Sequence, residues 1–411
     1  SVWVKAFFHF IEFDRNRNMK VLIFITRQLC YNSGRYFAQK IGKALQQYGC
    51  ECEYCEIPEY AIPAAGTEIA QPASLNSNKK IDQSAEELLD QYINKKYDAV
   101  LDFNSKLPRL IMDDDSYYLD NIDAPFYNFI LDHPLYHHTT LSCKLNNYHV
   151  FSIDDNHCKY VRKYYPWIKD ASQINLGAEQ VAEGDISKKE NNILFMGTYR
   201  NPDVYMQSIL QSKDEDKCDM LSMIDIITGN NEITIENSIN KEPKSLILNK
   251  YYLVEMYIRN FYRKKLIDTL VDNKFPVKIV GEWWDKYDKY DRINLQKPVA
   301  FEQSLDMIAK SRILADSSPF FKMGVHDRVY AGMANNTVVM TDSNKYRENI
   351  LNGIAQMYHL NDIDDICMKA DKLLNDRAYY ENLVYNAHKE YEYNYTWNKV
   401  GERIIKHFLS E

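Results

Sequence analysis

The stretch VLIFITRQLCYNSGRYFAQKIGKALQQYGCECEYCEI, residues 21–57, decides the fold class. Residues 21–26 are continuously apolar, as a parallel strand covered on both faces reads. Phe37, Ile41, Ala44, Leu45 and Tyr48 then recur at helical spacing, and Gly49 ends the helix. CECEYCEI (50–57) reads as a second strand. Strand, loop, helix and strand in that order open a doubly wound α/β sheet.

The alternation continues outward. SAEELLDQYINKK (84–96) reads as a helix, and YDAVLDFNS (97–105), APFYNFILDHP (124–134) and YHVFSID (148–154) read as strands. NHCKYVRKYYP (156–166) is a short helix closed by its proline. A polar stretch at 176–192 reads as a linker, after which ILFMGTYR (193–200) starts a second α/β unit. Residues 201–255 are charged, irregular and helical in character. FPVKIVGEWW (275–284) and RILADSS (312–318) read as further strands, and the tail from about 362 is helical. The expected architecture is therefore two Rossmann-like domains facing across a cleft. Their expected bounds are 19–180 and 190–380, with a helical tail at 381–411. Residues 1–18 read as an N-terminal extension ahead of MKVLIF.

The totals agree. A chain of 411 residues suits two domains of α/β size, and 45% hydrophobic with 26% charged residues marks a folded protein. A net charge of −8 argues against a nucleic-acid or anionic-membrane binder. No stretch approaches the length of a membrane span, and the expected location, which the cysteines suit, is the cytoplasm. The eight cysteines suit reduced thiols. Cys50, Cys52 and Cys55 lack a second pair of ligands at metal spacing, so they read as the edge of a strand.

In open α/β sheets chemistry sits at the carboxyl ends of the strands. The candidate loops are those after Thr26, Ser105, Leu131, Met196, Val280 and Ser317. The segment from Asp316 to Arg328, which ends in PFFKMGVHDR (319–328), runs from a strand into a helix. Gly324 permits close backbone approach, and the amides after it, from Val325 and His326, are the free donors of a helix start, which favour an anion. Lys322 and Arg328 flank that point, and Asp327 shares the helix mouth. FMGTYR repeats the pattern with Gly197, Thr198 and Arg200, and Gly281 turns the chain after Val280. Two glycine loops with cations suit a diphosphate, and such donors stabilise it as a leaving group. Each loop taken alone is weak, because a glycine after a strand is common.

LDHPLYHH (131–138) places Asp132 and His133 at a strand end, where an imidazole beside a carboxylate suits a base or a sugar contact. His137 and His138 read as structural. Asp113, Asp114 and Asp115 read as a solvated loop. The Trp283–Trp284 pair suits stacking on a base or sugar as readily as a buried edge.

These residues resemble a known family. FYRKKLIDTLVDNKFPVKIVGEWW (261–284), VAFEQSLDMIAKSRI (299–313) and HDRVYAGMANNTVVMTD (326–342) are similar to the second domain of GT-B glycosyltransferases, and more closely to the branch related to the spore-maturation protein CgeB. FYNFILDHPLYHH (126–138) resembles the first-domain counterpart in related bacterial proteins. The resemblance covers roughly residues 190–400. It implies a nucleotide-sugar donor, UDP-sugar favoured, on the second domain, and a glycan, protein or small-molecule acceptor on the first. It implies no cofactor, no essential metal, and a C-terminal helix crossing back to the first domain. Carried over, Arg200, Lys322 and Arg328 touch the diphosphate with the backbone of Gly324–His326. Phe301 and Glu302, in the loop after a strand near Val299, lie near base or ribose. His133 faces the transferred sugar. The E-x7-E pair of many retaining members is absent: Met323 and Ala331 stand there. Two alternatives remain open at this point, a nucleotide-sugar epimerase of the same fold and a non-catalytic GT-B scaffold.

Overall fold

The computed structural model describes residues 18–62, 83–181, 185–239 and 248–410. The extension at 1–18 therefore lies almost wholly outside the described residues. Six strands form the first sheet: β1 (Lys20–Ile25), β2 (Glu51–Glu56), β3 (Ala99–Phe103), β4 (Phe126–Ile130), β5 (Tyr148–Ser152) and β6 (Asp170–Gln173). All neighbours pair in parallel, in the order β2-β1-β3-β4-β5-β6. The second sheet holds β7 (Glu190–Met196), β8 (Val277–Val280), β9 (Asn294–Gln296), β10 (Ser311–Ala315), β11 (Val338–Asp342) and β12 (Gln356–Tyr358). It too is parallel, in the order β12-β11-β10-β7-β8-β9.

The continuous apolar run has the predicted cause. Val21, Leu22, Ile23 and Phe24 are all fully buried, because helices cover both faces of a parallel sheet. The helix Ser33–Gln47 buries Phe37, Ile41, Ala44 and Leu45 as its spacing requires, while Tyr48 lies past its end and is exposed. CECEYCEI does form an edge strand, and Cys50, Cys52 and Cys55 are free thiols. Among its described residues, the region read as irregular forms the helices Pro202–Leu210 and Asp214–Gly229 and runs into the long helix Tyr252–Asp272. Strands β6 and β12 were not legible, and β9 lies a few residues before the strand expected near Val299. They are three- or four-residue edge strands, too short to show a period.

The tail divides its contacts. Helix Arg377–Asn394 stays on the second domain, where the Tyr380 hydroxyl donates to the Arg312 carbonyl at 2.9 Å. Helix Trp397–Leu409 then crosses back to the first domain. Phe408 packs on Tyr127 with ring centroids 4.7 Å apart, and Gly401 lies against Ala44. Within the helical tail expected at 381–411, the crossing begins at Thr396–Trp397. Among the described residues no helix is long and apolar enough to cross a membrane.

Each sheet reverses its strand order at one place, between β1 and β3 in the first and between β7 and β10 in the second. Those crevices are where an open sheet binds ligands. They face each other: the Tyr31 hydroxyl, in the loop after β1, lies 3.3 Å from Thr198 Oγ1, in the loop after β7.

Candidate active site

A cavity of about 430 Å³ fills the cleft between the two crevices. Of the residues expected from sequence, Asp132, Gly197, Thr198, Arg200, Phe301, His326, Asp327 and Arg328 line it. A smaller cavity of about 60 Å³ adjoins it and is lined by Asp132, His133 and His157 from the first domain. Arg259, Arg263, His326 and Arg328 from the second domain line both.

The decisive feature is a cluster of three arginines. Arg259 and Arg263 lie one turn apart on helix Tyr252–Asp272, and Arg328 stands in the first turn of helix Asp327–Ala334. Two have carboxylate partners: Arg259 pairs with Glu255 at 2.8 Å, and Arg328 with the buried Asp316 at 3.2 Å. Arg263 donates to the Thr198 carbonyl at 3.0 Å, and its Nε has no hydrogen-bond partner among the described residues. Burial, with Arg259 and Arg328 beside it, pulls the Arg263 guanidinium down to about 9. Arg259 moves the other way: burial opposes its charge, but Glu255 outweighs that and raises it. Burial also disfavours charge on Asp316, yet Arg328 and His326 hold its carboxyl below the usual range. A crowded, incompletely neutralised cation at a crevice between domains is a site prepared for an anion.

The neighbouring loops are shaped to leave room. A Cβ on Gly281 would stand 2.0 Å from the Gly197 carbonyl oxygen, which also accepts from Trp284 Nε1 at 2.6 Å. Gly281→Ala is therefore expected to push out the Gly197–Arg200 loop and cost about 1–3 kcal/mol. Thermal melting and nucleoside diphosphate affinity should fall together; unchanged values would show that the loop yields freely. Gly281 itself faces an outer groove rather than the cleft. Of the tryptophan pair, Trp284 is buried, while Trp283 is exposed under the Arg200 guanidinium, 4.9 Å from its ring centre.

Several expected contacts are corrected by the structure. Lys322 is buried with its Nζ donating to the Asn231 carbonyl, outside both cavities, and burial lowers it to about 8. Gly324 does not face the cleft. It forms a bridge with Asp154 of the first domain, and a Cβ there would meet the Ile153 carbonyl at 2.3 Å. Val325 is buried in the apolar core. Phe301 and Glu302 open the helix Phe301–Lys310 instead of lying in a loop, and Val299 belongs to no strand. Phe301 lines the cleft, packed against Tyr36 and Phe37 at 4.8 and 5.1 Å, whereas Glu302 is solvent-exposed.

The helix mouth at 326–328 also differs in detail. His326 is its N-cap: Nδ1 accepts the Arg328 amide at 3.5 Å and lies 2.6 Å from Asp327 Oδ1. Burial works against the Asp327 charge, but His326 and Arg328 lower its carboxyl below the usual range. Ala331 lines the cleft with a methyl group, and Met323 sits at the seam with its amide on Asp154. Neither of the E-x7-E positions offers a carboxylate.

His133 sits in the smaller cavity. Its Nδ1 accepts the Leu135 amide at 3.2 Å, which leaves the ring proton on Nε2, 3.8 Å from Glu236. Burial opposes the Glu236 charge, but the contact with His133 lowers its carboxyl. Asp132, by contrast, lines both cavities and accepts from Asn104 Nδ2 at 3.3 Å. His137 and His138 have structural surroundings: His137 is buried, and His138 Nδ1 lies 3.0 Å from the Tyr165 hydroxyl.

Sequence reading missed Arg259, Arg263, Glu236 and His157. The arginines lie mid-helix, far from any strand end. His157 follows β5, whose carboxyl end was not among the six candidate loops, although the same rule selects it.

Comparisons with known proteins bear on the fold. Residues 259–406 match the glycosyl transferase-like family. A glycosyltransferase from Rickettsia africae is similar in structure over 95% of this chain and 98% of its own, with a TM-score of 0.53 at 11% identity. A sucrose-phosphate synthase from Thermosynechococcus elongatus gives 0.55 at 10% identity over 96% of this chain and 99% of its own. Anabaena HepE, solved with UDP and glucose, gives 0.55 at 11% identity over 96% of this chain and all 100% of its own. No curated protein matches the sequence. The chain has the GT-B glycosyltransferase fold, and the part of it that carries Arg259, Arg263 and Arg328 is the part that matches the glycosyl transferase-like family.

Proposed function

We propose that this protein is a glycosyltransferase that moves a sugar from a nucleotide-sugar donor, UDP-sugar favoured, to a glycan, protein or small-molecule acceptor. It belongs in this reading to the CgeB-like branch, on the motifs at 261–284, 299–313 and 326–342. The arginine cluster is the observation that carries the reading. A departing diphosphate gains negative charge as the glycosidic bond breaks, and prearranged cations in the cleft stabilise that charge. Arg263 lacks a carboxylate, so its charge is the one most available to the phosphates.

The same cluster supports action without an essential metal, since Arg263, with the carboxylate-paired Arg259 and Arg328 beside it, offers the phosphates a cation and guanidinium donors from the protein itself. Arg200, Gly197 and Thr198 border the donor from the loop after β7. Phe301 supplies an apolar wall for the base. Asp132 is the carboxylate that reaches both cavities, which suits a group beside the reacting centre. His133, with Nδ1 occupied and Nε2 turned to Glu236, braces that corner.

The test is a thermal-shift series with UDP, GDP, ADP and TDP, each with magnesium and with EDTA. One nucleotide should raise the melting temperature by mass action, and the shift should survive EDTA. A shift lost in EDTA would overturn metal independence. No shift with any nucleotide would overturn the donor reading.

A further inference from the structure

The smaller cavity contains a group that the reading above does not use. His157 is 2% exposed and lines that cavity, yet neither ring nitrogen has a hydrogen-bond partner among the described residues. Its place is fixed. Asp154 caps the helix Asp155–Tyr164 and accepts the His157 amide at 3.2 Å. The ring is held edge-on against His133, with centroids 4.8 Å apart, and tilted against Phe321 at 5.5 Å. Buried polar groups are nearly always satisfied, so one left open in a cavity points to a missing ligand.

The position says which ligand. The arginines line both cavities and mark their junction, so a diphosphate held there directs its nucleoside into the larger space and its sugar toward the smaller one. About 60 Å³ accommodates roughly four water-sized groups, the hydroxyl-bearing edge of a sugar rather than a whole ring. The chemistry also discriminates. Burial lowers the His157 imidazole to about 4, so it is neutral near pH 7, with one donor and one acceptor nitrogen. A phosphate oxygen of the donor can only accept, whereas a sugar hydroxyl both donates and accepts.

We propose that the smaller cavity receives the hydroxyl edge of the donor sugar and that His157 reads a hydroxyl there, setting which sugar is accepted. The proposal rests on the donor reading given above. His157 differs from His133 in this role, because His133 Nδ1 already accepts the Leu135 amide at 3.2 Å and its Nε2 lies 3.8 Å from Glu236, whereas neither His157 nitrogen has a hydrogen-bond partner among the described residues.

The test is calorimetric titration of the wild type, His157→Phe and His157→Gln. The ligands are the nucleoside diphosphate that the wild type binds and its glucose, galactose and N-acetylglucosamine conjugates. His157→Phe should keep the free diphosphate within about twofold and weaken the tightest conjugate about tenfold, as loss of one hydrogen bond predicts. His157→Gln, which keeps a donor and an acceptor, should recover part of that loss and alter the order of the three conjugates. Equal affinities across all three proteins would overturn the proposal. So would a parallel loss of diphosphate and conjugate in His157→Phe, which would make the cavity a phosphate subsite. A wild type that binds no diphosphate at all would instead remove the donor reading, and the sugar subsite with it.

Discussion

Arg263→Met should bind nucleoside diphosphate tens of times to a hundredfold more weakly than the wild type, while the unliganded protein melts at or above the wild-type temperature. The two effects have one cause. Arg263 sits beside Arg259 and Arg328 without a carboxylate of its own, and burial together with those two cations pulls its guanidinium down to about 9. With no anion bound, the folded chain therefore holds a charge it would be more stable without. Hydrogen bonds to a charged group are worth about 1.5–3 kcal/mol, which corresponds to the loss of affinity given. Methionine keeps much of the apolar stem of the arginine while removing its charge. A variant that melts well below the wild type but binds normally would refute the prediction. It would make Arg263 a strut for the Thr198 carbonyl, to which it donates at 3.0 Å.

Asp154→Ala should cause the largest loss of stability of any single substitution named here, about 3 kcal/mol. Asp154 is fully buried and serves two tasks with one carboxylate. Oδ1 caps the helix Asp155–Tyr164, accepting the amides of Asn156 at 2.7 Å and His157 at 3.2 Å. Oδ2 crosses to the second domain and accepts the Met323 amide at 2.8 Å, beside the Asp154–Gly324 bridge. Loss of a cap costs about 1 kcal/mol, and a buried amide left unpaired costs about 1–3 kcal/mol more. Asp154→Asn retains one oxygen acceptor for the cap but places an NH2 donor opposite the Met323 amide, and should recover about half. Denaturant unfolding of the three proteins measures this; equal midpoints would show that the seam between the domains contributes nothing.

The doubly wound pattern was readable because burial on both faces leaves an unbroken apolar signature. β1 and β11 are such runs, and the helices after β1 and β10 carry the expected spacing. The glycine loops were also legible as places, since a strand must end before a ligand can meet its carboxyl edge. Their partners were not. Lys322 and Gly324 lie in a segment that reads as a phosphate loop, yet one faces the Asn231 carbonyl and the other the first domain. Both contacts are made with residues far away along the chain, Asn231 and Asp154, and no local pattern encodes which distant group a side chain will meet.

The sequence by itself determined two parallel sheets, a helical tail, and the loops at which chemistry gathers, because periodicity and turn residues act over a few positions; that the tail crosses back was implied only by the family resemblance. Only the tertiary structure decided that Arg259 and Arg263, mid-helix in sequence, join Arg328 at the junction of two cavities. It alone turned His133 toward Glu236 and left His157 open. Charge crowding and unmet hydrogen bonds are properties of groups brought together from both domains, so they exist only once the chain has closed.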